Sequence, residues 1–285
     1  MSKKAAFITI HGMGTTEPNY NKDIVKEIKD RLGTKFDDLH VGKVYYQDIL
    51  QDNENRVWEL VANKVKWDGL RKFMLFGFAD AAGLENGKEA NDSVYSQAQL
   101  RIAKELLIAR KAMNGDGPVV IIAQSLGTQV VSCYFWDAVI SANTPNKVKV
   151  GIWQDGNNFG KNINNGQDLT NDEINFIRGN SLHTLFTTGC NIPMFVAAHA
   201  TDKIEPIKPN NFFKWENYYD KDDVLGWPLS DLSDNYKSTV KDHQINAGGG
   251  VIGWLVKSWN PWSHGQYWGD NDVLDPLEEI LRSLV

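Results

Sequence analysis

An α/β fold, with a mostly parallel central sheet and helices on both faces, is what this chain predicts, and three observations predict it. Short apolar, β-branched runs recur along the chain, and the segments between them carry helical periodicity. One run, residues 118–124, stops at a small-X-Ser-X-Gly turn, Ala123-Gln124-Ser125-Leu126-Gly127, and passes straight into helix-forming residues. The 285 residues are enough for one α/β domain with a large core, and no stretch reads as a linker between two folding units.

Taken in order, residues 5–10 (Ala-Ala-Phe-Ile-Thr-Ile) form a buried-strand candidate. Residues 21–32 follow as a helix with Ile24, Val25, Ile28 and Leu32 on one side and Gly33 as its stop. Residues 41–46 read as a second strand and 53–67 as a helix with Val57, Leu60, Val61, Val65 and Trp67 at helical intervals. Residues 70–84 are apolar almost all round, which suits a core or cap helix better than a lid or acyl-chain wall. Residues 93–113 form a long helix whose inner face carries Leu100, Ala103, Leu106, Leu107 and Ala109, and it delivers the chain to the strand at 118–124 and the helix at 126–141.

Between 143 and 178 the composition turns to Asn, Gly, Asp and Lys, an insertion read as turns with one short hairpin over 148–153; it is either a cap or a solvated loop. Residues 181–190 return as a strand beside the 118–124 strand, 215–219 as the next, and a last helix begins near Asp270. Gly248-Gly249-Gly250 lacks the Lys-Ser/Thr of a phosphate-binding loop and is read as a flexible turn. The expected organisation is one domain over 1–285 with candidate cap segments at 53–85 and 143–180.

A surface serine is a poor nucleophile, and it becomes useful when a bent backbone lifts its hydroxyl toward a base and an oxyanion site. The turn around Ser125 does this, with Ala123 and Gly127 small because strand and helix backbones meet there. The bland alternative is that Ser125 is only a helix N-cap. His11-Gly12-Met13-Gly14, directly after the first strand, weighs against that alternative, because it resembles the His-Gly loop of α/β-hydrolases.

The resemblance implies that the backbone N–H groups of Met13 and Leu126 form an oxyanion hole, and that acid and histidine follow the nucleophile in chain order. Asp223, before Val224-Leu225, matches the acid segment best, with Asp222 and Asp220 as neighbouring alternatives; His264, in Trp262-Ser263-His264-Gly265, matches the histidine. His11 takes a structural role in shaping the loop. The activity implied is that of a serine hydrolase on carboxylic esters, esterase- or lipase-like, with a small-molecule or lipid-like substrate. Phospholipase or thioesterase chemistry on the same Ser-His-Asp triad stays open, and a non-catalytic binding module on the same fold is the rival from another class.

Composition narrows the rest. A net charge of −6 without a basic cluster argues against a nucleic-acid surface. His40, His183, His199 and His243 lack metal-ligand spacing, and no Gly-X-Gly-X-X-Gly follows a strand, so neither metal nor cofactor is expected. The first residues are read as a core strand rather than an export signal, no segment is apolar enough to cross a membrane, and two cysteines, Cys133 and Cys190, do not imply a disulfide scaffold. A cytoplasmic location is the resulting expectation.

Overall fold

Uninterrupted apolar runs buried on both faces give the parallel strands, and amphipathic segments between them give the covering helices. In the computed structural model the described residues are 2–14, 16–64, 66, 68–200, 204–247 and 266–285. The chain runs through β1 (Ala5–Ile10), α1 (Lys22–Leu32), β2 (Leu39–Val44), α2 (Gln51–Val61), α3 (Asp68–Glu85), α4 (Val94–Met113), β3 (Val119–Gln124) and α5 (Leu126–Asn143). It continues through α6 (Gly160–Ile163), α7 (Asn171–Asn175), β4 (Leu182–Thr188), α8 (Ile192–Val196), β5 (Lys214–Asp220), α9 (Asp234–Thr239), β6 (Val240–Ile245) and α10 (Asn271–Leu284).

Among the described residues six strands form one sheet in the order β2-β1-β3-β4-β5-β6, and every neighbouring pair is parallel. Alternation along the pleat divides the core in two. Ala6, Ile8 and Ile10 of β1 and Val119, Ile121 and Ala123 of β3 meet Ala103, Leu106 and Val131 of α4 and α5 on one face. Ala5, Phe7, Val120 and Ile122 meet Ile24 and Ile28 of α1 and Leu274, Leu277 and Leu281 of α10 on the other. This is the α/β architecture expected from the sequence: a parallel sheet, helices on both faces, and the serine turn at the end of a central strand. Because all strands run the same way, the loops after β1, β3, β5 and β6 leave the sheet at the same carboxyl edge, where open α/β sheets place their sites.

Four local expectations are corrected. No hairpin forms at 148–153; that stretch is turns, and the insertion sends Trp153, Phe159, Phe176 and Ile177 into the core beside α5. The helix expected over 53–67 is α2, ending at Val61 with a 3-10 turn over Ala62–Lys64, and its inward residue is Glu54, while Leu60 is 63% exposed. In α3, Phe76 and Leu84 are buried but Phe78 is 63% exposed, so the helix is not core all round. β6 was not expected, because Val240-Lys-Asp-His-Gln-Ile245 is apolar only at its two ends; pairing to β5 supplies the order that its side chains do not advertise.

Candidate active site

Ser125 occupies the sharpest bend in the site, with φ 52° and ψ −126°. A side chain rarely tolerates that half of backbone space, and holding it there costs on the order of 1–3 kcal/mol. The neighbours over-determine it. Ser125 N–H donates to the Thr188 carbonyl at 2.9 Å, while the Ser125 carbonyl accepts from Thr128 N–H at 2.9 Å and from Thr128 Oγ1 at 2.6 Å.

Two glycines allow the approach of the preceding loop. A Cβ on Gly127 would stand 2.2 Å from the His11 carbonyl oxygen, and one on Gly12 would stand 2.7 Å from Ser125 Cβ. Both contacts are to backbone or to the first side-chain atom, so neither can move aside cheaply. They also locate the loop after β1 directly against the serine, a juxtaposition that β1–β3 pairing brings about.

The N-cap alternative is removed by the side chain itself. Ser125 precedes α5 but makes no capping hydrogen bond, and its buried Oγ has no partner among the described residues. Among those residues, neither the Met13 nor the Leu126 N–H donates to a protein acceptor. Leu126 opens an 18-residue helix, whose unpaired N–H groups and dipole favour negative charge there.

His11 shapes the loop rather than standing as a base. Its Nε2 accepts from Tyr46 N–H at 3.1 Å, which puts the proton on Nδ1, and Nδ1–H donates to the Gly12 carbonyl at 2.7 Å. The ring stacks on Tyr46 with centroids 4.1 Å apart. Burial pushes its pKa down to about 4, so the imidazole is neutral at neutral pH.

At the end of β5, Asp223 is 5% exposed. Its Oδ2 accepts from Tyr267 Oη at 2.8 Å and its Oδ1 from Leu225 N–H at 3.0 Å. Tyr267 Oη in turn accepts from Asp220 N–H at 2.9 Å, and burial beside Asp223 pushes the phenol pKa well up, so it stays a donor. Gly226 admits this arrangement, since a Cβ there would come within 2.7 Å of Asp223 Oδ2. Asp220 is also buried, with Oδ1 accepting from Asp222 N–H, whereas Asp222 faces solvent. His264 lies outside the described residues, as does Gly248-Gly249-Gly250.

Sequence reasoning missed a polar group beside the loop. Asp80 of α3 is fully buried and accepts from Gly14 N–H at 2.8 Å, and Gln47 Nε2 donates both to Asp80 Oδ1 and to Glu54 Oε2. The available signal was one carboxylate inside Phe-Gly-Phe-Ala-Asp-Ala-Ala-Gly, a run with no other charge. Among the described residues no three His, Cys, Asp or Glu side chains are grouped to hold a metal, and no helix is long and apolar enough to cross a membrane. Cys133 and Cys190 are both free thiols.

No protein-family model matches the chain, and no curated protein is similar to it in sequence. Among solved structures it is similar to a protein from Xanthomonas campestris pv. campestris assigned to the α/β hydrolase superfamily, at 13% identity over 98% of each chain with a TM-score of 0.42. It is also similar to an inhibited esterase B from Lactobacillus rhamnosis, at 8% identity over 99% of this chain and 76% of that one, with a TM-score of 0.45.

Proposed function

We propose that this protein is a serine hydrolase cleaving carboxylic esters of small-molecule or lipid-like substrates, with Ser125 as nucleophile, His264 as general base and Asp223 as the acid that orients the imidazole. The observation that carries the reading is Ser125 itself. Its backbone is held in a strained bend against Gly12, and its buried hydroxyl neither caps the helix nor meets another described group. A strained, buried hydroxyl that no described group engages costs stability, and such costs concentrate where a reaction needs them.

In this mechanism Ser125 Oγ attacks the acyl carbon while its proton passes to His264. The tetrahedral oxyanion is met by the Met13 and Leu126 N–H groups, and one such donor is worth roughly 3 kcal/mol where it has been removed from other enzymes. Collapse expels the alcohol, which takes the proton from His264 and leaves an acyl-serine; water, deprotonated by His264, then releases the carboxylic acid. Asp223 suits the acid role better than Asp222, which faces solvent, and it is chosen over the equally buried Asp220 because its two oxygens are held by Tyr267 and Leu225. Ester hydrolysis covers the phospholipase and thioesterase variants of the same chemistry. Segments 53–85 and 143–180 of this single domain are proposed as caps, the first because α3 touches the loop after β1 through Gly77 and Asp80.

The test is intact mass after exposure to a fluorophosphonate, which attaches covalently to activated serine hydroxyls. Wild type is expected to gain one adduct and Ser125→Ala none. A folded wild type that remains unlabelled overturns the enzymatic reading and favours a binding module.

A further inference from the structure

Met13 lies between two peptide planes, and each is fixed from outside. The Gly12 carbonyl is held by His11 Nδ1–H at 2.7 Å, and the Gly14 N–H is held by Asp80 Oδ2 at 2.8 Å. A peptide group is planar and trans, so holding one of its polar atoms sets the direction of the other. The His11 bond therefore sets where the Met13 N–H points. The Asp80 bond sets the plane that follows, so that Met13 cannot swing about either flanking bond.

The two anchors differ in origin. His11 belongs to the loop, whereas Asp80 comes from α3, 66 residues along the chain. Gly77, almost one helical turn before Asp80, leaves the notch that takes the Met13 side chain; a Cβ there would lie 2.5 Å from Met13 Sδ. Asp80 is itself held by Gln47 Nε2 at 3.1 Å, and Gln47 also reaches Glu54 Oε2 at 3.3 Å. Burial pushes both carboxyls up, and at Asp80 the Gly14 and Gln47 donors act against that rise by favouring the charged form. A charged acceptor makes the stronger bond to the Gly14 N–H. Taking a carboxylate out of water costs several kcal/mol, which makes Asp80 an expensive way to fill space.

We propose that Asp80 is a positioning residue for the oxyanion site, holding the Met13–Gly14 peptide from α3 so that the Met13 N–H stays aimed at the charge developing on the substrate oxygen. This rests on the serine-hydrolase reading above. Asp80 touches neither substrate nor nucleophile; it acts through the loop.

The experiment compares wild type, Asp80→Leu and Asp80→Asn on a short-chain p-nitrophenyl ester. The second readout is inhibition by a trifluoromethyl ketone, which adds the Ser125 hydroxyl and forms a tetrahedral oxyanion. Leucine is close in shape and has no acceptor, so kcat is expected to fall on the order of 10- to 100-fold, somewhat less than outright loss of an oxyanion donor. KM should stay within about threefold, and ketone affinity should fall in parallel with kcat, because the lost interaction belongs to the transition state. Asparagine keeps a carbonyl oxygen for the Gly14 N–H and should restore most of the loss.

A wild type that takes up fluorophosphonate at Ser125 while Asp80→Leu turns over at the wild-type rate overturns this inference and leaves the hydrolase reading standing. So does an Asp80→Asn variant that is folded and no better than Asp80→Leu. Should Asp80→Leu not fold, Asp80→Ala, which also lacks the acceptor, takes its place with the same expected fall in kcat and ketone affinity and the same refuting result. An unlabelled wild type overturns the underlying reading itself.

Discussion

Replacing Ser125 by alanine removes one oxygen and leaves the bend untouched, so the cost of burying the hydroxyl can be read directly. A buried hydroxyl without a partner costs about 1–3 kcal/mol by mutational measures. The void left by a single oxygen returns well under about 0.5 kcal/mol of that at roughly 24 cal/mol per Å³. Ser125 is 1% exposed and its Oγ has no partner among the described residues, so the penalty is relieved only as far as His264 accepts from the hydroxyl, and Ser125→Ala is expected to be as stable as wild type or more stable by up to about 2 kcal/mol. For a chain of this size the upper figure is a rise in Tm of about 2–5 °C.

Ser125→Gly separates strain from desolvation. At φ 52° glycine escapes the left-handed penalty of about 1–2 kcal/mol but loses about 0.5–1 kcal/mol through its freer unfolded chain, so it should equal or slightly exceed alanine. Urea unfolding at neutral pH measures all three proteins. An alanine variant less stable than wild type by more than about 1 kcal/mol would show the hydroxyl doing structural work and refute the reading that it is held at a cost for the reaction.

Other outcomes follow from the same contacts. Gly127→Ala drives a methyl group into the His11 carbonyl, so it should cost about 2 kcal/mol or more and slow fluorophosphonate uptake, both measurable on one preparation. His11 has its pKa lowered from 6.5 to about 4, so between those values the unfolded chain takes up a proton that the native chain refuses. Its contribution is therefore present above pH 6.5 and is lost as pH falls toward 4. The wild-type excess of acid sensitivity over His11→Gln should be about 3 kcal/mol, seen as a difference in urea midpoints at pH 7.5 and 4.5. Asp223→Asn should lower kcat by on the order of 10⁴, as when the orienting acid of a triad is lost, whereas Asp222→Asn, on the surface, should leave it unchanged; equal effects would break the assignment. The Cys190 thiol is buried and pushed up to about 12, so a disulfide reagent at pH 7.5 should modify it only as fast as the chain unfolds.

Much of this arrangement is written in local pattern. The runs at residues 5–10 and 118–124 are β-branched or small, bounded by turn residues, and become β1 and β3 because no other use of such segments hides their side chains. The small-X-Ser-X-Gly turn determines its own geometry, since only Gly127 fits against the His11 carbonyl. Ser93 caps α4 and Asp270 caps α10 from their own side chains, which makes those boundaries visible in advance.

What required the folded chain is whatever depends on partners far apart in sequence. β6 is ordered by its ladder to β5, not by its composition. Glu54 faces inward from α2 because Gln47 and Asp80 wait there, and no periodicity of apolar residues announces a buried carboxyl pair. The Asn- and Gly-rich insertion reads as turns that either cap the pocket or stand in solvent, and its few large side chains, Trp153, Phe159 and Phe176, pack into the core beside α5. Strand and helix propensity act over a few residues, so sequence alone determines most elements, β6 excepted, and the serine bend. Burial of a polar group is decided by what surrounds it, and for Asp80, Glu54 and Asp223 those surroundings are brought together only by tertiary packing.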